Sequence, residues 1–196
     1  MRKKKNRPDF DAMITGSKVK LRPKRLTDAL NDYAWQADPD LARLDAVSPL
    51  NIAYPAYLLA YAVEFCRPSS KRCHFAIETM DGKHIGNCIY YGIDGAKGEA
   101  ELGIMIGNRD YWDKGYGTDA VTVLVNHIFR QTKLNRIYLK TLELNHRAQK
   151  CFQKCGFTPC GRMVRDGYRF VLMEMQRKRW EEKYQSPKAE VMPKVE

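Results

Sequence analysis

The sequence predicts an α/β domain built on a mixed sheet. Three consecutive β-rich segments between residues 73 and 107 are joined by turn signals, as in an antiparallel meander. A Gly-x-Gly turn at Gly115 and Gly117 then switches the apolar period from strand to helix. A further strand, a helix and a final strand pair follow, which makes a strand–loop–helix–strand unit central to the sheet.

The elements follow in order. Residues 19–23 alternate and stop at Pro23, a short strand. Thr27-Asp28 is expected to cap a helix running through Trp35. Asp38-Pro39-Asp40 is expected to break it, leaving residues 39–55 irregular. Residues 57–65 read as a helix with Leu58, Tyr61, Ala62 and Phe65 on one face. Strands over 73–79, 85–93 and 100–107 are separated by Asp81-Gly82 and by the glycines from Gly92 to Gly98. Ala120, Val123, Leu124, His127 and Ile128 share a face of the long helix after Gly117. Residues 136–142 are β-rich. Residues 148–155 are helical and end at Gly156, a C-cap glycine. Residues 157–164 and 168–176 form the last pair, joined through Asp166-Gly167.

The 196 residues suit one domain, and 44% hydrophobic content supports a real core. The organisation reads as a basic N-terminal tail over 1–12, the domain over 13–180 and a C-terminal tail over 181–196. The formal charge of +11 is concentrated at the ends. Residues 1–8 hold five cations and no acid, and residues 177–196 hold six cations against four acids. Such tails keep a chain soluble, and they also suit contact with RNA or a ribosome. No run is long and apolar enough to span a membrane, and the basic start lacks the apolar stretch of a secretory signal, so a cytoplasmic chain is expected. The six cysteines show no Cys-x-x-Cys spacing. They read as packing residues, with neither a disulfide framework nor a metal site expected.

The chemistry concentrates in Trp112-Asp113-Lys114-Gly115-Tyr116-Gly117-Thr118. Glycines two apart let backbone N–H groups approach a ligand, and the helix start behind them is an anion site suited to a diphosphate. Lys114 adds a flexible cation. Ala120 stands where the dinucleotide-binding fingerprint needs a third glycine, and no Gly-Lys-Ser/Thr follows for a Walker loop.

Trp112-x-x-Gly115-x-Gly117 resembles the Gln/Arg-x-x-Gly-x-Gly/Ala motif of the GNAT acyl-CoA-dependent N-acyltransferases. The tryptophan with Lys114-Gly115-Tyr116 is similar to the RimJ/RimL-type subgroup. Asn145-x-x-Ala148-x-x-x-Phe152-x-Lys154-x-Gly156-Phe157 is similar to the family's later motif, and Leu21-Arg22-Pro23 and Asp38-Pro39-Asp40 agree. The resemblance covers residues 18–177. It implies a mostly antiparallel central sheet with helices on both faces, and acetyl-CoA as co-substrate. The diphosphate would sit on amides from Asp113 to Thr118. The pantetheine arm would add to the edge of Ile104-Met105-Ile106, and Asn145 would bond its amide. Asn145 also fits a plain helix cap.

Within the resemblance Glu101 is the expected base, since many members carry an acid there. Its bland alternative is a strand residue paired with a cation. Phe152 departs from the family: it occupies the position of the tyrosine that protonates the departing thiolate. Cys151 is adjacent but is expected to point elsewhere on the helix, and Tyr138 and Tyr168 are candidates to replace it. The implied reaction is direct attack of a primary amine on the thioester. The expected acceptor is a protein N-terminal α-amine of the ribosomal-protein type. A polyamine, an aminoglycoside or a non-catalytic acyl-CoA-binding role are the alternatives, and both monomer and homodimer stay open. The acceptor side is expected from Asp40 to Pro55 and the following helix. Asp40, Arg43, Asp45, Tyr54 and Tyr57 are a mixed set there, less acidic than a polyamine site calls for.

Overall fold

The structure is a computed structural model that describes residues 13–66 and 72–184. The chain opens with β1 (Ile14–Thr15) and β2 (Val19–Pro23). Three helices follow: α1 (Ala29–Ala37), α2 (Pro39–Leu44) and α3 (Tyr54–Cys66). Next come β3 (Arg72–Thr79), β4 (His84–Asp94), β5 (Glu99–Ile106) and the long α4 (Tyr116–Gln131). The remainder is β6 (Arg136–Leu142), α5 (His146–Cys155), β7 (Thr158–Arg165), β8 (Tyr168–Gln176) and α6 (Arg177–Tyr184).

The strands form one sheet in the order β1-β2-β3-β4-β5-β6-β8-β7. Every neighbouring pair is antiparallel except β5 with β6. Residues of α4 and α5 approach Ile104 and Ile106 on one face of β5. Residues of α1 and α2 approach Gly103 and Met105 on the other. Helices therefore cover both faces, as the family resemblance implies. The core joins the sheet to α4, with Leu21, Ile77, Tyr90, Leu124, Ile128 and Ile137 fully buried. Buried positions alternate along β6, and Val121, Leu124, Val125 and Ile128 recur three and four apart on α4, so apolar period and element type agree.

Four differences from the sequence reading have physical causes. Asp38-Pro39 ends one helix and starts the next. The Asp38 carboxylate accepts from Asp40 N at 2.9 Å and Leu41 N at 3.0 Å, and Pro39 fills the first helical position, where no N–H is needed. The stretch expected to be irregular thus contains α2, and α3 begins at Tyr54, with Pro55 in its first turn. Thr27-Asp28 does not cap α1 by a side chain. Residues Leu26–Asp28 form a 3₁₀ turn, and Asp28 instead takes two hydrogen bonds from Arg22, at 2.8 and 2.9 Å. β1 was not legible, because two residues carry no period. The turn that pairs it with β2 is held by Asp119 in the first turn of α4, whose carboxylate accepts from Ser17, Lys18 and Val19 amides.

The C-terminal end is also more built than expected. Trp180 on α6 is 1% exposed and donates to Asn126 Oδ1 at 2.6 Å. Arg177 binds the carbonyls of Phe129, Thr132 and Leu134 at the end of α4. Helical structure continues past residue 180 to Tyr184, whose hydroxyl donates to Cys155 O at 2.9 Å. The tail expected over 1–12, and residues 185–196 of the tail expected over 181–196, lie outside the described residues.

Candidate active site at the opening between β5 and β6

The parallel contact of β5 and β6 is short. Glu99, Ala100 and Glu101 pair with Arg136, Ile137 and Tyr138, and the pairing stops there. β6 continues against β8 as far as Leu142 and Phe170. From Leu102 to Ile106 the β5 edge has no β6 partner, and apart from the Ile106 carbonyl, which accepts from Trp112, its outward peptide groups can pair with an extended ligand. Side chains alternate across the sheet. Ile104 and Ile106 therefore border a groove of about 200 Å³ on one side. Gly103 and Met105, with Ile104 at the rim shared by both, border one of about 430 Å³ on the other.

The first groove runs under the start of α4. Asp113 and Gly115 both have left-handed backbone, with φ of 56° and 85°, which swings the chain tightly into the helix. The first-turn amides of α4 have no intrahelical acceptor. The first to bond back is Asp119 N, to Gly115 O at 3.0 Å. A Cβ on Gly117 would project into the crevice between Ile106 and Cys151, 3.6–3.7 Å from each. The glycine keeps that crevice open, and the free amides with the positive helix end suit a diphosphate. Trp112 ties the cradle to the sheet, its Nε1 donating to Ile106 O at 2.7 Å. Tyr116 packs edge-on against Tyr111 at 4.9 Å, and Lys18 approaches its ring. Lys114 is exposed beside the cradle.

Two expectations are refined here. Asn145 caps α5, its Oδ1 accepting from Ala148 N at 3.1 Å. Its side chain already has this structural role and is not among those lining the groove. Cys151, expected to point away, lines the groove together with Phe152. Interaction with the Cys155 thiol, and then the hydrogen bond from the Thr118 hydroxyl, hold the Cys151 thiol pKa below its ordinary value against the opposing effect of burial. Of the six cysteines, Cys66 and Cys160 are exposed rather than packed. Among the described residues no cluster of three His, Cys, Asp or Glu could hold a metal.

The second groove lies on the Glu101 face of β5. Glu101 is 8% exposed and accepts an ion pair from Lys140 Nζ at 2.7 Å. Tyr91 on β4 pairs with it across the sheet. Burial, and next the Glu101 charge, push the Tyr91 and Tyr138 phenols above their ordinary value. Both therefore stay protonated at neutral pH. Tyr168 sits at the β7–β8 turn and lines neither groove. Asp45 and Asp32 line the second groove, with no lysine or arginine among the lining residues. Asp32 is balanced by Lys24 at 2.6 Å. Surrounding protein raises the Asp45 carboxyl, and Lys140 pulls it partly back. Of the set expected on this side, only Asp45 lines the groove. Asp40 instead approaches Arg109 and Arg43, and Tyr57 is buried against Gln36.

Sequence reasoning missed Arg147 and Lys150 and gave Lys154 only as part of a motif; all three line the first groove from α5. Their spacing of three and four was a usable signal, since it places them on one helix face. It also missed Tyr91 and Asp32, whose roles depend on non-local neighbours.

Residues 18–158 match the family model described as an acetyltransferase (GNAT) domain, and the chain belongs to that family. It is an acetyl-CoA-dependent N-acetyltransferase of the GNAT type, with acetyl-CoA as co-substrate. It is 27% identical over 150 residues to an uncharacterized N-acetyltransferase, p20, of Bacillus licheniformis, covering 76% of this chain and 83% of that one. Its fold is similar to that of spermidine N-acetyltransferase from Vibrio cholerae in complex with CoA and spermine. That match has a TM-score of 0.74 and 18% identity, and covers 84% of this chain and 98% of that one. Mycobacterium smegmatis RimJ in complex with CoA-disulfide matches at a TM-score of 0.68 and 20% identity, covering 85% and 88%. At these identities the structures speak to the fold alone.

Proposed function

We propose that the chain acetylates a small cationic primary amine, held in the groove that Asp45 borders. Coenzyme A would lie in the groove under α4, with its diphosphate on the amides from Asp113 to Thr118 and its arm along Ile104-Met105-Ile106. The observation that carries the reading is the opposed charge of the two grooves. One holds Arg147, Lys150 and Lys154 against a single Asp113. The other holds Asp45, with Asp32 already paired to Lys24, and no lysine or arginine among its lining residues. A polyanion and a cation would thus enter from opposite faces and meet at the opening beside Glu101.

Only a neutral amine attacks a thioester, so a proton must leave. Glu101 is the proposed acceptor of that proton, directly or through one water. Lys140 would hold the carboxylate in place through its ion pair. The thiolate has a pKa near 8.5 when free, so it leaves tolerably as the anion beside Phe152, which has no proton to offer. The phenols of Tyr91 and Tyr138, both near Glu101, are candidates to supply one.

A protein N-terminal α-amine is the second reading, and with it a RimJ/RimL-type subgroup. At pH 7 about 10% of an α-amine is neutral, against about 0.04% of a lysine-like amine, so it demands less of a Glu–Lys pair. Acceptor turnover read by thiol release separates the two. Polyamines, aminoglycosides and N-terminal peptides are run in parallel on wild type and Asp45→Asn. The first reading predicts turnover of a small polycation, with KM raised about tenfold in the variant and kcat nearly unchanged. Turnover of peptides alone, indifferent to Asp45, supports the second and overturns the first.

A further inference from the structure

We infer that the cationic face of α5 is a seat for the 3′-phosphate of coenzyme A, and that it makes the enzyme discriminate acetyl-CoA from its dephospho form. The inference rests on the cofactor groove proposed above and adds a specificity determinant to it.

Arg147, Lys150 and Lys154 are three and four residues apart, so they share one helix face, and all three line the groove. Like charges at that spacing repel and weaken a helix, so the cluster is unfavourable unless an anion sits on it. The protein supplies little compensation. Asp113 is felt by Arg147, whose pKa burial lowers. Neither Lys150 nor Lys154 has a carboxylate within 4.0 Å among the described residues. Nearby arginines differ: Arg109 reaches Asp38 at 2.8 Å, and Arg162 reaches Glu143 at 3.4 Å.

The cluster has a fixed end. Arg147 lies flat over Trp112, 3.3 Å from the ring centroid, and Trp112 is itself anchored to β5. From Arg147 the cations extend about 10 Å along the helix to Lys154. The diphosphate is served by the amides of α4, a different element. A second anionic group is needed to use the α5 cations. In coenzyme A that group is the 3′-phosphate, which carries nearly two charges at neutral pH. Lysine suits it, as a mobile point charge that can follow a terminal phosphate.

The test is calorimetric titration of wild type and the Lys150→Gln/Lys154→Gln double variant with CoA and with dephospho-CoA. Wild type should prefer CoA by at least about tenfold, and the preference should fall as salt rises. The double variant should lose the preference. Unliganded, it should melt no lower than wild type, because a repulsion has been removed. Equal affinity of wild type for both ligands overturns the phosphate seat and leaves the groove assignment standing. So does a double variant that weakens both ligands by the same factor. Failure of wild type to bind either ligand overturns the seat and the groove together.

Discussion

Glu101 shows how one side chain takes its meaning from neighbours distant in sequence. It is buried, faces the Asp45 side of β5 and is held by Lys140, which comes from the next strand through the parallel pairing. The sequence reading weighed a base against a residue paired with a cation, and the structure shows the pair. The two are compatible, because a proton acceptor must be oriented. Glu101→Gln keeps the shape and removes the acceptor. CoA affinity should stay within about twofold, while turnover falls roughly 10²- to 10⁴-fold, less so as pH rises toward 9 and the neutral fraction of the amine grows. Wild-type turnover in the variant from pH 6 to 9 would remove Glu101 from the mechanism.

At the scale of elements, the legible parts were those with a local signature. The meander β3–β5, α4 and the β7–β8 pair each carry a period and a turn signal, and all were expected close to where they lie. α2 was missed because Asp-Pro reads equally as a stop and as a start. The opening between β5 and β6 was not legible at all, since it follows from where a non-local parallel pairing ends. The cradle itself can be dissected through its two glycines. Gly115 has φ of 85°, so Gly115→Ala should destabilise the unliganded protein by about 1 kcal/mol. Gly117 is helical and a Cβ there meets only ordinary contacts. Gly117→Ala should therefore keep or slightly raise the unliganded melting temperature, yet weaken CoA binding several-fold by narrowing the crevice. Equal loss of fold stability in both variants would mean that Gly117 is there for the chain rather than for a ligand.

Over the whole molecule, a buried ionic cluster ties the start of the chain to the sheet. Arg22 binds Asp28 and also Glu78, Lys24 binds Asp32, and His84 lies 3.5 Å from Asp28. Breaking such a pair on one side costs about 3–5 kcal/mol, because a charge is left buried. Burial alone would raise the Asp28 carboxyl. The hydrogen bonds from Arg22 and Arg25 overrule it and hold the pKa below its ordinary value. Burial, and then Lys24, depress His84. Both groups are thus depressed in the folded state, so their contributions are complete above the unfolded pKa and lost as pH falls through the folded one. Stability to denaturant should hold above about pH 6.5, decline below it as His84 is called on to charge, and fall again below about pH 4 as Asp28 protonates. Asp28→Asn should flatten the lower step and, by removing the anion 3.5 Å from His84, deepen the upper one. A profile flat between pH 7 and 5 would contradict the His84 assignment.

The central claim is that coenzyme A is held on the backbone at the start of α4. A ligand bound only by the folded state stabilises it by about 2.7 kcal/mol at one hundred times Kd. For a domain of this size each kcal/mol is worth about 2–4 °C. Saturating CoA should raise the melting temperature of wild type by about 5–11 °C. Gly117→Glu puts a carboxylate where the diphosphate belongs, and should abolish the shift while the unliganded protein stays folded. No shift in wild type, or an equal shift in Gly117→Glu, would contradict the account.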